Sequence, residues 1–160
     1  LLHLPLELQI VTQHLTLSLE KSPHLLRISR SRMFKLSSNS IMNMAGIDDR
    51  LVDVVELAIT LTNIDFGVPA TGGLRTVEDQ AQLFTSGKSK ADGRTHKSYH
   101  QTGKAVDLFA YVDGKASWDE LHLSLCAAAM LQAAAELNIP LKWGGLWKSW
   151  QDYPHFELKD

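Results

Sequence analysis

Residues 98–109 read Ser98-Tyr99-His100-Gln101-Thr102-Gly103-Lys104-Ala105-Val106-Asp107-Leu108-Phe109, and the change of pattern inside this stretch decides the fold. The polar start reads as the end of a loop that carries His100, with Gly103 letting the backbone turn. Ala105 to Phe109 then reads as a strand. Alternate side chains of a strand share a face. Asp107 therefore points away from Val106 and Leu108, which belong to the core.

The last strand repeats that arrangement. In His155-Phe156-Glu157-Leu158 the histidine and the glutamate share one face, and the phenylalanine and leucine the other. Leu141 to Trp143 is a further short strand, separated from it by the Gly144-Gly145 turn. Upstream, Asp48 or Asp49 caps a helix running to about Thr62, whose apolar face is Leu51, Val54, Val55, Ala58 and Ile59. FGVPA at 66–70 reads as a short strand. Thr76 opens a helix that stops at Gly87, with Asp79 in place of the usual capping-box glutamate. Residues 88–99 form a polar loop. Ser117 to Glu120 reads as a capping box for a long helix through Leu137, ending at Asn138 before Pro140. Helices and short, mostly antiparallel strands without a βαβ rhythm predict an α+β fold, a small sheet flanked by helices.

Composition narrows the function classes. The 160 residues suit one domain with a single core. Hydrophobic residues at 44% and charged residues at 21% lie in the range of ordinary globular chains. A formal charge of −2 and a pI near 6.4 give no electrostatic reason to expect nucleic acid as a partner. No apolar run reaches the roughly 18 residues of a membrane span. The single cysteine, Cys126, sits in CAAAMLQAAAEL and reads as a small buried thiol. Character changes near Met33. Residues 1–32 alternate leucine with polar residues and end in RISRSR, without the basic start and cleavage site of a signal peptide. They read as an N-terminal extension of unknown role, non-native or disordered, ahead of a domain at 33–160 with Met33 as a native start.

Two neighbouring strands would turn Asp107 and His155 to a common polar side, with His100 swinging in from the loop. Two imidazoles and a carboxylate with a fourth position left for water form the ligand set of a catalytic zinc site, where zinc brings the pKa of its water to roughly 7. Spacing alone leaves this open, because a histidine with an aspartate some residues away is usually structural or solvated. His96, four residues before His100, reads as an exposed loop histidine, since Gly93, Ser98 and Gly103 disfavour a helix there.

SYHQTGKAVDL resembles the S-x-H-x-x-G-x-A-x-D signature of the D-Ala-D-Ala carboxypeptidase and L-alanyl-D-glutamate endopeptidase family, which includes VanY-type enzymes and phage endolysins. GGLRTVEDQAQLF (72–84) is similar to the family's arginine segment, and WGGLWKSWQDYPHFEL (143–158) to its C-terminal block. DDRLVDVVELAITLTNIDFGV (48–68) resembles the phage-type opening helix. The resemblance covers about residues 36–158. It implies a hedgehog/DD-peptidase-like zinc peptidase fold with Zn2+ held by His100, Asp107 and His155. It further implies Asp152 as the general base, reaching in from a turn because Pro154 argues against a helix, and Arg75 as the cation facing the developing oxyanion. Ser98, Gln80 and Trp143 are weaker candidates for substrate contact; Gln80 would brace Arg75, and Trp147 would join Trp143 along the cleft. Glu157 would orient a ligand imidazole or stand exposed on its strand.

The implied activity is hydrolysis of the peptidoglycan stem peptide at the L-Ala–D-Glu bond, by a monomer held in the cytoplasm of an infected host until release to the wall. A D-Ala-D-Ala carboxypeptidase is the enzymatic alternative. A zinc-holding binding module without hydrolysis is the alternative of another class, against which the presence of both Asp152 and Arg75 speaks. Leu146 and Lys104 depart from the residues many relatives carry, acidic and histidine respectively. They bear on cleft charge and substrate preference.

Overall fold

The structure is a computed structural model and describes residues 33–159. The reading of residues 1–32 as an extension lies outside the described residues. In chain order the helices are α1 (Ser38–Asn43), α2 (Asp49–Leu61), α3 (Val77–Thr85) and α4 (Glu120–Glu136). The strands are β1 (Asp65–Gly67), β2 (Ala105–Asp107), β3 (Phe109–Val112), β4 (Lys115–Ser117), β5 (Leu141–Trp143) and β6 (His155–Leu158). Two three-stranded antiparallel sheets form, ordered β1-β3-β4 and β2-β6-β5.

Helix α2 forms where its apolar period predicts. Asp48 caps it by accepting from the Arg50 amide, and Leu51, Val54, Val55, Ala58 and Ile59 are its buried residues. That face packs on α4, where Cys126, Ala127, Met130, Ala133 and Ala134 are buried. The alanines there let the two helices approach closely. Phe66, Val106, Phe156 and Leu158 complete the core from the sheets, with Leu108 from the link between β2 and β3. Cys126 is fully buried within it, and burial pushes its thiol up to about 12, as expected of an inert packing residue.

Several elements differ from their sequence reading. Strand β1 spans Asp65–Gly67 rather than 66–70, because the Val68 amide donates to the Ser40 hydroxyl instead of a neighbouring strand and Pro69 has no N–H to offer. The strand expected over Ala105 to Phe109 breaks into β2 and β3, which belong to different sheets. The Asp107 amide donates to the Gly72 carbonyl and the Leu108 amide to Pro154, and the chain crosses between sheets at the fully buried Leu108. The capping box at Ser117 does not form. Ser117 is paired with Ala110 in β4, so Asp119 becomes the cap and its carboxylate accepts from the amides of Leu121 and His122. Helix α1 had no counterpart in the sequence reading.

Gly103 carries the turn between the His100 segment and β2 at φ +71°. A Cβ there would stand 2.8 Å from the Gly46 carbonyl oxygen and 3.1 Å from the Ile47 Cα, both backbone atoms. Gly103→Ala therefore combines a left-handed backbone with a contact that no side-chain rotation relieves. The expected cost is about 1–3 kcal/mol, read as a lower urea midpoint at unchanged slope. An unchanged midpoint would mean that the turn relaxes freely.

Candidate metal centre

Asp107 and His155 face each other directly in the antiparallel register of β2 and β6. His100 is carried not by open loop but by a 3-10 turn over Tyr99–Thr102. Ser98 caps that turn, and Ser98 with Gln101 makes a capping box. The turn ends at Gly103, which delivers the chain into β2. Three short elements thus converge on one point.

Their geometry is tight. His100 Nε2 lies 3.1 Å from Asp107 Oδ1 and 3.1 Å from His155 Nδ1, and His155 Nδ1 lies 3.1 Å from Asp107 Oδ1. Ligands of a tetrahedral zinc at roughly 2.0–2.1 Å stand about 3.3 Å apart, so the triangle has the dimensions of such a face. The outer atoms of each side chain are already engaged. His100 Nδ1 lies 3.0 Å from the Gly73 carbonyl, which can only accept, so this nitrogen carries the hydrogen. His155 Nε2 lies 3.3 Å from a Glu157 carboxylate oxygen. Asp107 Oδ2 accepts from Arg75 at 2.6 Å. Each of these bonds leaves a lone pair aimed inward. Three lone pairs at such separations require a proton or a cation among them, and outer bonds of this kind accompany metal-ligating histidines.

Electrostatics follow the same pattern. Burial opposes the charge on Asp107, yet His100 and His155 beside it outweigh burial and hold its carboxyl below the usual carboxylate range. Burial likewise disfavours a charged His155, but the carboxylates of Asp107 and Glu157 override it and push the imidazole up to about 9. A metal entering the site therefore displaces a proton. At Asp152, burial and then the negative Asp107 raise the carboxyl above its ordinary value, the direction suited to a group that must take up a proton.

The three residues share one cavity of about 570 Å3 with Arg75, Ser98, Trp147 and Asp152. Asp152 is held by a turn, as Pro154 demands: its amide donates to Gly144 and its carbonyl accepts from the His155 amide. Arg75 stands with Asp107; its guanidinium also donates to the Thr71 carbonyl and the Gln80 amide oxygen, and its backbone amide donates to the His100 carbonyl. Gln80 is fully buried and braces Arg75 while donating to Ser89 and the Ala91 carbonyl, so the structure places it behind the cavity wall rather than on it. Trp143 packs against the core and donates to the Tyr153 carbonyl, also away from the cavity lining. Trp147 lines the cavity instead, its ring 5.1 Å from that of His155. His96 is exposed on its loop. Glu157 is buried, not exposed, at 8% accessibility. The Gly73 carbonyl and Lys142 were absent from the sequence reading. A backbone group leaves no residue-type signal, and Lys142 has meaning only once β5 is paired with β6.

Comparison with known proteins agrees across the whole described region. The model of the phage L-alanyl-D-glutamate peptidase family matches residues 32–159. The chain is 35% identical over 127 residues to the L-alanyl-D-glutamate peptidase of Escherichia phage T5, covering 79% of this chain and 90% of that protein. It is 30% identical over 115 residues to the peptidoglycan L-alanyl-D-glutamate endopeptidase CwlK of Bacillus subtilis, covering 66% and 68%. Among solved structures, the L-Ala D-Glu endopeptidase ChiX of Serratia marcescens matches with a TM-score of 0.71 at 33% identity, over 82% of this chain and 95% of that one.

Proposed function

Because the chain belongs to the phage L-alanyl-D-glutamate peptidase family, we propose that it hydrolyses the L-Ala–D-Glu bond of the peptidoglycan stem peptide, using zinc held by His100, Asp107 and His155. The observation that carries this reading is the meeting of two imidazole nitrogens and a carboxylate oxygen at 3.1 Å, in the lining of a cavity that Asp152 also lines.

Zinc, when bound there, supplies Lewis acidity that polarises a carbonyl and makes water more acidic. The chain's own residues do the rest. Asp152 takes a proton from the attacking water and returns it to the nitrogen of the departing D-Glu. Arg75 fixes Asp107 through one oxygen, so that the other stays aimed at the centre. Its guanidinium has five N–H groups and borders the cavity. In this proposal its further N–H groups face the carbonyl oxygen as negative charge gathers on it. Ser98 holds the turn that carries His100, and Trp147 walls the cleft beside His155.

No helix among the described residues is long and apolar enough to cross a membrane. In this proposal the protein is a monomer that waits in the cytoplasm of an infected bacterium and acts on the wall after release; the phage source of one relative favours that setting, and the monomeric state is part of the proposal alone.

Digestion of purified peptidoglycan, followed by mass analysis of the new ends, tests the reading. Free L-Ala carboxyl ends are expected. Release of D-Ala would instead assign a D,D-carboxypeptidase, and intact wall at full zinc loading would leave only a binding module.

A further inference from the structure

We propose that Lys142 and Glu157 form a positioning pair that orients His155 and sets how tightly the centre holds zinc. The proposal rests on the metal centre described above and extends it beyond the residues that touch the ion.

The register places the two residues opposite each other, Lys142 on the edge strand β5 and Glu157 on the central strand β6. Lys142 Nζ donates to Glu157 Oε1 at 3.1 Å, and Glu157 Oε2 lies 3.3 Å from His155 Nε2. Each carboxylate oxygen therefore has its own partner. A carboxylate that is only 8% exposed needs such partners, because removing its charge from water is costly when it is unpaired. His155 and Glu157 are two residues apart on one strand, so their side chains stand next to each other on the same face. A carboxylate accepting from the outer N–H of an imidazole fixes the ring's tautomer and makes the inward nitrogen a better donor to a metal.

Lys142 completes the arrangement from outside. By engaging one oxygen it leaves the other turned toward the histidine. Its ammonium also lies 5.9 Å from the centre of the Tyr99 ring, and Tyr99 immediately precedes His100. The lysine thus contacts a neighbour of each of the two metal-facing histidines without reaching the metal. Lys142 and Glu157 are positioning residues, acting through His155.

The test is zinc affinity, measured on the full chain by stripping the metal and titrating it back against a fluorescent zinc chelator at fixed pH. Glu157→Gln keeps the size and an acceptor but loses the charge, and is expected to weaken zinc binding about 10–100-fold. Lys142→Met, which keeps the side-chain bulk, should weaken it roughly two- to fivefold. Because the lysine acts through the glutamate, the double variant should bind zinc no more weakly than Glu157→Gln alone. Metal-free Glu157→Gln should unfold close to the metal-free wild type, whereas metal-free Lys142→Met should unfold somewhat lower, because it strips one partner from the buried carboxylate. The stability control is therefore read on Glu157→Gln.

An unchanged affinity in Glu157→Gln overturns the proposal. So does a Lys142→Met loss that adds in full to that of Glu157→Gln, or an affinity loss in Glu157→Gln that merely follows a loss of its metal-free stability. The outcomes separate from those of the peptidase reading. A wild type whose zinc affinity depends on Glu157 but which cuts no stem peptide would remove the peptidase reading and leave the pair standing. A wild type that cuts the peptide while Glu157→Gln binds zinc normally would do the reverse.

Discussion

His155→Ala is expected to emerge from purification without zinc and without peptidoglycan hydrolysis. The substitution deletes one of three inward-facing atoms, and the two that remain, His100 Nε2 and Asp107 Oδ1, form a poor site alone. Losing an outer partner of a ligand costs about 10–100-fold in affinity, so losing the ligand itself should exceed about 100-fold. The damage extends outward. Glu157 would lose the partner of one buried oxygen, and Trp147 the ring it stands against. Some loss of stability should accompany the loss of metal, because a buried carboxylate stripped of one partner is destabilised. Metal content by mass spectrometry after dialysis, with wall digestion on the same sample, decides the matter. A fully metallated His155→Ala protein would refute the ligand assignment.

Asp152→Asn should behave in the opposite way, keeping zinc and losing turnover. Its side chain is not among the three groups that meet at the centre, and its contribution to the fold comes from backbone bonds to Gly144 and His155 that asparagine preserves. What asparagine cannot do is accept a proton from water and return it to a leaving amine. General acid–base groups contribute about 100- to 10,000-fold to rate, and kcat should fall by that order while KM changes little. Zinc content should equal that of the wild type. A variant with normal turnover would remove Asp152 from the chemistry, and one that lost its metal would make it a structural residue of the site. The contrast between the two variants is the sharper test, since a general loss of folding would lower both properties in both proteins.

Much of the site was legible because its parts obey local rules. The α2 face repeats at the helical period, so its five buried residues could be named from spacing. Alternation along β2 and β6 put Asp107 and His155 on a polar side, whichever partners the strands took. Pro154 excluded a helix between Asp152 and His155, and a turn stands there. Where the sequence reading failed, a long-range partner had intervened. Ser117 satisfies the capping pattern as well as Asp119 does, but pairing with Ala110 removed it from competition. Ala105 to Phe109 has the continuous character of one strand, yet the amides of Asp107 and Leu108 bond to Gly72 and Pro154, and the chain changes sheets. Trp143 and Trp147 look alike in sequence, and only packing sends one to the core and the other to the cleft.

By itself, then, the sequence determined which residues could serve as metal donors, which helix face would be buried and where the chain must turn. Those properties depend on backbone stereochemistry and on the spacing of neighbours a few residues apart. The tertiary structure alone decided that Asp107 and His155 stand in direct register, that each imidazole turns one chosen nitrogen inward, and that Arg75 bonds Asp107, Glu157 meets His155 and Lys142 meets Glu157. These depend on strand pairing and on groups such as the Gly73 carbonyl, which every residue possesses and which becomes a hydrogen-bond partner only when folding brings a histidine against it.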